Sequence, residues 1–198
     1  MASYHGSKDY NLTRSGEPAA LISLDDAKAH LRYEDDDQDD YINGLVGAVN
    51  DFMDGPYGVL GKAITSQTWS LMHPPVSGGA VLIIPLFPLI SVTSIKYYDA
   101  DNEIQTADNT DFVIFGNNDK AYIEPLTAWP AMYDRPDAID IVFVAGFATV
   151  PKGIIHAAKL LLGHWFENRE SVTETSTNEV PQAFQNLIDV HRTGWVKS

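Results

Sequence analysis

The stretch "SLDDAKAHLRYEDDDQDDYINGLVGAVNDFM" (23–53) decides the first part of the fold, because it predicts two consecutive helices. Ser23 is a typical helix N-cap. Asp26 stands three residues later, in the capping-box position, where a carboxylate also favours the positive helix terminus. The first helix is therefore predicted over 23–32. A second is predicted over about 38–54, where apolar residues recur at spacings of 3 and 4: Ile42, Leu45, Val46, Val49, Phe52 and Met53.

Two glycines, Gly44 and Gly47, interrupt the pattern of the second helix. Each costs about 1 kcal/mol of helix stability relative to alanine, but glycine lets another helix approach closely. The "GPYG" sequence (55–58) then ends the helix. This part of the chain is predicted to form the N-terminal half of a small helical core.

The acidic run "EDDDQDD" (34–40) between the two helices invites a calcium-site interpretation. An EF-hand loop beginning at Asp35 would place Asp37 and Asp39 correctly. It also needs glycine at its sixth position, where Asp40 stands, and glutamate at its twelfth, where Val46 stands. The run is therefore better interpreted as a solvated loop whose last carboxylates stabilise the start of the second helix.

From about residue 61 apolar residues recur at every second position instead of at every third or fourth, which predicts strands. "KAITSQTWSLMH" (62–73) alternates between two faces, and "SVTSIKYYDADNEIQT" (91–106) predicts a hairpin that turns at Asp-Ala-Asp-Asn. Prolines between the strands are typical of the short strands and edges of an antiparallel sheet. Further strands are predicted at 80–85, 111–116, 120–125 and 138–147.

Helical periodicity returns at Pro151, a residue that favours the first position of a helix. Ile154, Ala158, Leu161 and Trp165 follow on one stripe, and a last helix is predicted in "VPQAFQNLIDVHRTGW" (180–195). The fold class predicted is α+β: a small helical core, of two N-terminal and two C-terminal helices, carrying a β-rich antiparallel insertion. The predicted segments are a flexible arm (1–20), the N-terminal helical part (21–58), the insertion (59–150), and the C-terminal helices and tail (151–198).

Composition excludes several classes of protein. Apolar residues make up 44% of the 198, enough for a packed core, and the net charge of −14 argues against non-specific binding to nucleic acid or to anionic membranes. There is no cysteine, so disulfides and thiolate chemistry are excluded. The longest apolar stretch, 80–90, is far shorter than the roughly 20 residues needed to span a bilayer, and 1–18 lacks an apolar signal region. A soluble protein made without a secretory signal is expected.

No catalytic, cofactor or metal site is predicted. His156 and His164 would lie about 12 Å apart along one helix, too far to share a metal, whereas His164 can pair with Glu167 or Asn168 one turn later. The chain has no nucleophile elbow, phosphate loop or dinucleotide fingerprint. With 27 acidic residues a facing carboxylate pair is conceivable, so a cryptic hydrolase stays as an alternative.

Aromatic residues of the β region leave a second alternative open, a carbohydrate-binding or tail-associated β module. Such rings can form a sugar-binding platform, although their use in strands and cores is commoner. The residues concerned are Tyr97, Tyr98, Tyr122, Trp129 and Tyr133.

Six segments in the same order give the chain a resemblance to the head–tail connector (adaptor) proteins of phages and gene transfer agents, over about 21–196. The most specific are the "SLDDAKAHLR" opening, "PLISVTSI" (88–95), "RPDAI" (135–139) leading into "FVAGF" (143–147), and "HWFENRE" (164–170). The resemblance implies a structural virion protein and not an enzyme, with about twelve copies in a ring below the portal. Such a ring extends the DNA channel and joins capsid to tail.

The resemblance also implies the partners: further copies of the chain, the portal protein, and the next neck component, a stopper or tail terminator. DNA passes through without specific binding, no membrane is involved, and the protein belongs to the virion, or to the host cytoplasm during assembly. Candidate channel-facing acids are Asp35, Asp36, Asp37, Asp39 and Asp40, and candidate interface residues are Arg192 and Trp195. The family signature with a packing role consists of His164, Trp165, Glu167, Asn168 and Arg169.

Overall fold

Residues 11–116, 120–168 and 181–192 are described by a computed structural model of the chain. Contacts divide them into two units that alternate along the sequence. The described residues of the β unit are 11–17, 66–116 and 120–146. Those of the helical unit are 18–65, 147–168 and 181–192. The helical unit is therefore assembled from two separate stretches of chain.

The helical unit is built around one apolar core. Its helices are α1 (Leu24–Leu31), α2 (Asp39–Met53), α3 (Lys152–Glu167) and α4 (Gln182–Asp189). Each helix turns its apolar side chains towards this core, because residues three and four apart lie on one face of a helix with 3.6 residues per turn. The core residues include Ile42, Val49, Ile154, Leu161, Phe184 and Ile188. The predicted cap of α1 is confirmed: Asp26 N–H donates to Ser23 Oγ at 3.1 Å.

The loop after α2 packs into the same core instead of beginning a strand. Leu60, Ala63 and Ile64 are fully buried, and Ile64 N–H donates to Asp54 Oδ1 at 2.7 Å. Phe147 N–H donates to Ile64 C=O at 2.9 Å, so the two stretches of the helical unit are hydrogen-bonded where they meet. The strand predicted from about 61 therefore begins later, at Gln67.

The β unit contains two antiparallel sheets. The larger has the order β1-β2-β8-β4-β5 and the smaller has the order β3-β7-β6. The strands are β1 (Asn11–Ser15), β2 (Gln67–His73), β3 (Leu82–Ile84), β4 (Leu89–Tyr98), β5 (Ile104–Ala107), β6 (Phe112–Gly116), β7 (Ala121–Pro125) and β8 (Ile139–Ala145).

One turn and one helix end show how local sequence determines this architecture. The predicted hairpin is confirmed as β4–β5: the Asp99 carboxylate accepts from the N–H groups of Asp101 and Glu103, both at 3.0 Å. These bonds lower the pKa of Asp99, that from Glu103 most strongly. Pro151 is the N-cap of α3 and not its first residue, because its ψ of 134° is extended.

The predicted mixed α+β architecture is confirmed. The expectation of a flexible arm over 1–20 is wrong for residues 11–15. These form β1, which pairs antiparallel with β2 from Asn11 opposite Met72 to Ser15 opposite Thr68. The hydrogen-bonding partner of β1 lies more than 50 residues away, so local pattern gave no sign of the strand. Residues 1–10 lie outside the described part of the chain.

Candidate interaction surfaces

Lys28, in the last turn of α1, forms ion pairs with the acidic run 34–40 between α1 and α2, which we call the acidic loop. Its Nζ atom lies 2.5 Å from Asp36 Oδ1 and 2.8 Å from Asp39 Oδ1. The hydrogen bond to Asp36, followed by that to Asp39, raises the pKa of Lys28, and the same contact lowers the pKa of Asp36. Only 14% of the Lys28 side chain is exposed. One cation therefore neutralises two of the predicted channel-facing acids.

A second contact fixes the shape of this loop. The Tyr33 hydroxyl donates to Asp37 Oδ1 and accepts from Gln38 Nε2 at 2.8 Å. The bond to Asp37 is the main reason why the pKa of Tyr33 is raised. Glu34, Asp35 and Asp40 are exposed and have no salt-bridge partner among the described residues. The charge that the loop presents to solvent is carried by these three and Asp37.

The signature at the end of α3 forms a C-terminal cap with aromatic packing. Asn168 Nδ2 donates to His164 C=O at 2.8 Å and lies 3.3 Å from His164 Nδ1. The Trp165 ring packs edge-on against Phe52, with centroids 5.7 Å apart. Glu167 is exposed, and Arg169 lies outside the described residues. The predicted pairing of His164 with the residue one turn later is thus present as a hydrogen-bonded pair.

Of the two candidate interface residues, Arg192 is described and Trp195 lies outside the described residues. Arg192 contacts α4, the helix that precedes it: Nη1 lies 3.1 Å from Asp189 Oδ1, and Nη2 donates to Gln185 Oε1 at 3.3 Å. Its side chain is 21% exposed. These contacts anchor the residues that follow α4 to the helix.

The aromatic platform of the alternative interpretation does not form around Trp129. This residue is only 5% exposed; its Nε1–H donates to Ala80 C=O at 2.7 Å, and its ring lies 4.8 Å from that of Phe112. The guanidinium of Arg135 covers the Tyr98 ring at 3.6 Å. Trp129 is therefore a core residue, which is the commoner use of such aromatic rings.

Sequence reasoning missed one apolar surface, which we call the outer face of the small sheet. It consists of exposed and half-buried side chains that alternate with more deeply buried ones along β3, β7 and β6 and their flanks: Val81, Ile83, Val113, Phe115, Tyr122, Glu124 and Leu126. The signal was present in "DFVIFG" (111–116), which from Phe112 to Phe115 is apolar at both alternating positions instead of one.

Metal clusters and membrane-spanning helices are both absent from the described residues. Within 11–116, 120–168 and 181–192, no three His, Asp or Glu side chains are grouped so that they could hold a metal ion. Among the helices of that same part of the chain, none is long and apolar enough to cross a membrane.

The fold is similar to that of chains in gene transfer agent particles. A chain from the neck of an empty particle, computed with C6 symmetry, has a TM-score of 0.68 at 19% identity, over 92% of this chain and 95% of that one. A chain from the virion of a native particle has a TM-score of 0.67 at 20% identity, over 92% and 95%. A chain from the neck of a native particle, computed with C12 symmetry, has a TM-score of 0.67 at 20% identity, over 92% and 94%. No curated protein sequence matches this one.

A family model identifies the chain by sequence as well. The model describes the phage gp6-like head–tail connector protein and matches residues 21–124, from the start of the helical unit to β7. This range covers the acidic loop and the β4–β5 hairpin, and it is more than half of the chain. The protein therefore belongs to the phage gp6-like head–tail connector family.

Proposed function

We propose that about twelve copies of this chain form a closed ring below the portal, which extends the DNA channel and joins the capsid to the next neck component. The observation that carries the proposal is the likeness of 92% of the chain to a chain from a neck computed with C12 symmetry. The family model adds a connector role from sequence. The work of such a protein is binding between subunits, without turnover of a substrate.

The acidic loop suits a channel that DNA must leave freely. A duplex carries one negative charge per about 1.7 Å of axis, and carboxylates along its path repel it instead of retaining it. We place Asp35, Asp37 and Asp40 towards the channel. Asp36 and Asp39 instead hold the loop against α1 through Lys28. The five acids proposed for the channel thus have two different roles.

The chain ends are proposed as segments that become ordered on binding. Residues 1–10 precede β1, and those after Thr193 follow the anchored Arg192. Trp195 is the proposed anchor of the C-terminal segment, since an aromatic side chain close to a chain end is a common interface hot spot. The partners proposed are the portal protein and the stopper or tail terminator.

A reconstruction of the neck in intact particles tests the ring directly. About twelve copies around the DNA path are expected, with the acidic loop on the inner surface. A reconstruction that places this chain outside the neck, or as a single copy, would contradict the proposed function. One that places the loop wholly on the outer surface would contradict its channel role alone.

The charge of the loop can be tested separately by the triple substitution Asp35→Asn, Asp37→Asn, Asp40→Asn. Particles should assemble but release their DNA more slowly, and the difference should shrink as salt is raised. The control is Asp101→Asn with Glu103→Gln, which removes two exposed acids from the β4–β5 turn. Equal release by both variants would show that the loop does not act on the DNA.

A further inference from the structure

The outer face of the small sheet is apolar where a sheet of a monomer would be polar. An antiparallel sheet with one face on the core normally turns polar side chains to water on the other. Here the covered face contains the buried Leu82, Ile84, Ala121 and Ile123. The opposite face nevertheless exposes Val81, Val113, Phe115 and Leu126 by 40%, 44%, 46% and 65%.

These side chains form one continuous surface. Tyr122 lies at its centre, since the strand register pairs it with Ile83 on one side and Phe115 on the other. The Phe115 and Tyr122 rings are stacked, with centroids 5.0 Å apart and planes inclined by 20°. Leu126 extends the surface, because its N–H continues the ladder by donating to Asp111 C=O at 2.8 Å. Contiguous exposed apolar patches of this kind mark contact sites.

Charge indicates which kind of partner covers this face. The chain has a net charge of −14, yet of the seven side chains of the face only Glu124 is charged. A basic partner would gain most from a carboxylate-rich surface, which this face does not offer. Copies of an acidic chain repel each other over most of their surface, and they can approach where carboxylates are few. The face therefore suits a partner of the same sign of charge.

We infer that the outer face of the small sheet is the surface through which one copy of this chain contacts the next. This inference rests on the proposed ring. Because a cyclic ring of more than two copies joins unlike surfaces, the face meets a different part of its neighbour. The stacked pair Phe115 and Tyr122 would be its centre, as aromatic residues commonly are in the best-packed region of an interface.

Two measurements on particles carrying the full-length chain test the inference. In the first, a photo-crosslinking residue replaces Phe115. The expected product contains two copies of this chain, at twice its 21.8 kDa. A product with another virion protein, or no product, would overturn the inference. In the second, Phe115→Asp is compared with the conservative Phe115→Tyr. We expect at least a tenfold loss of incorporated copies for the first variant and a wild-type level for the second.

The outcomes separate the inference from the proposed function. If the wild-type chain forms a neck ring and Phe115→Asp is incorporated as well as Phe115→Tyr, the face is not the contact but the ring stands. If the wild-type chain forms no ring, both the inference about this face and the proposed function are wrong. Thermal unfolding of the isolated variants shows whether the Asp variant folds; since Phe115 is 46% exposed, it should. A variant that fails to fold is replaced by Val113→Asp, on the same face and 44% exposed.

Discussion

Lys28 and Asp36 form an ion pair between the end of α1 and the acidic loop, with Nζ and Oδ1 2.5 Å apart. The contact lowers the pKa of Asp36 below its ordinary 3.8 and raises that of Lys28 above its ordinary 10.5. A carboxylate whose pKa is lowered by folding stabilises the fold above its unfolded pKa, and the effect is lost as pH falls through the folded pKa. For a lysine whose pKa is raised, the contribution is lost as pH rises through the folded pKa.

The first prediction concerns this pair and its dependence on pH. Lys28→Met keeps most of the apolar side chain but removes the charge, so the melting temperature at pH 7 should fall by no more than about 3 °C, since Asp36 is well exposed. The difference between wild type and variant should shrink as pH falls through the lowered pKa of Asp36, where that carboxylate becomes protonated. Calorimetry from pH 2 to 8 measures it. An equal difference at pH 2 and pH 7 would show that the lysine stem, and not the ion pair, is responsible.

The second prediction concerns the two glycines of α2. A Cβ atom added at Gly44 or Gly47 meets nothing within 4 Å, so Gly44→Ala and Gly47→Ala should each raise the free energy of unfolding by about 0.5–1 kcal/mol. Urea denaturation measures the change. The matched control is Gly58→Ala, whose Cβ would lie 2.3 Å from Asp54 O and which should destabilise the protein. A loss of stability at Gly44 or Gly47 would contradict the open space found beside them.

The third prediction compares core packing with the side-chain contact between His164 and Asn168 at the end of α3. Leu161 is fully buried, and Leu161→Ala should lower the free energy of unfolding by about 2–5 kcal/mol. His164 is half-buried and its ring lies 3.3 Å from Asn168 Nδ2, so His164→Ala should cost about 0.5–1.5 kcal/mol. Denaturant unfolding ranks the two variants. If His164→Ala left stability and assembly intact but abolished a hydrolytic activity, the structural role would be wrong.

The fourth prediction uses Trp129 to test the carbohydrate-binding alternative. Trp129→Phe deprives the Ala80 carbonyl of its donor and should lower the free energy of unfolding by about 1–3 kcal/mol. Tyr133→Phe, which alters a ring that is 46% exposed, should change stability by less than about 0.5 kcal/mol. A glycan array screened with both variants adds a second readout. A Trp129→Phe variant of unchanged stability that lost binding to a sugar would favour the alternative.

The helices and most strands could be predicted because their determinants are local. Ser23 and Asp26 cap α1 within one turn, and the buried Ile42, Val46 and Val49 follow one helical period in α2. The β4–β5 turn was predictable for the same reason, since the Asp99 carboxylate binds the backbone two and four residues later. Such contacts leave a pattern within a window of about ten residues.

What could not be predicted depends on contacts that are distant in sequence. β1 becomes a strand only through β2, and β8 lies between β2 and β4, an order that no local pattern contains. Lys28 is recognisable as the organiser of the acidic loop only once α1 ends and the chain turns back through Arg32, whose φ is 54°. The burial of Trp129 depends likewise on Phe112 and Ala80.

The Phe147 N–H donates a hydrogen bond to the Ile64 carbonyl, so the two ends of the intervening segment 66–146 lie next to each other. We call this segment the cassette. The chain enters and leaves the cassette at neighbouring points, so a linker of a few residues could bridge 65 and 147 while the helical unit keeps its path. Since β1 would then lose β2, such a minimal helical protein should begin at residue 18. The join between the two stretches of the helical unit therefore does not depend on the length of the segment between them.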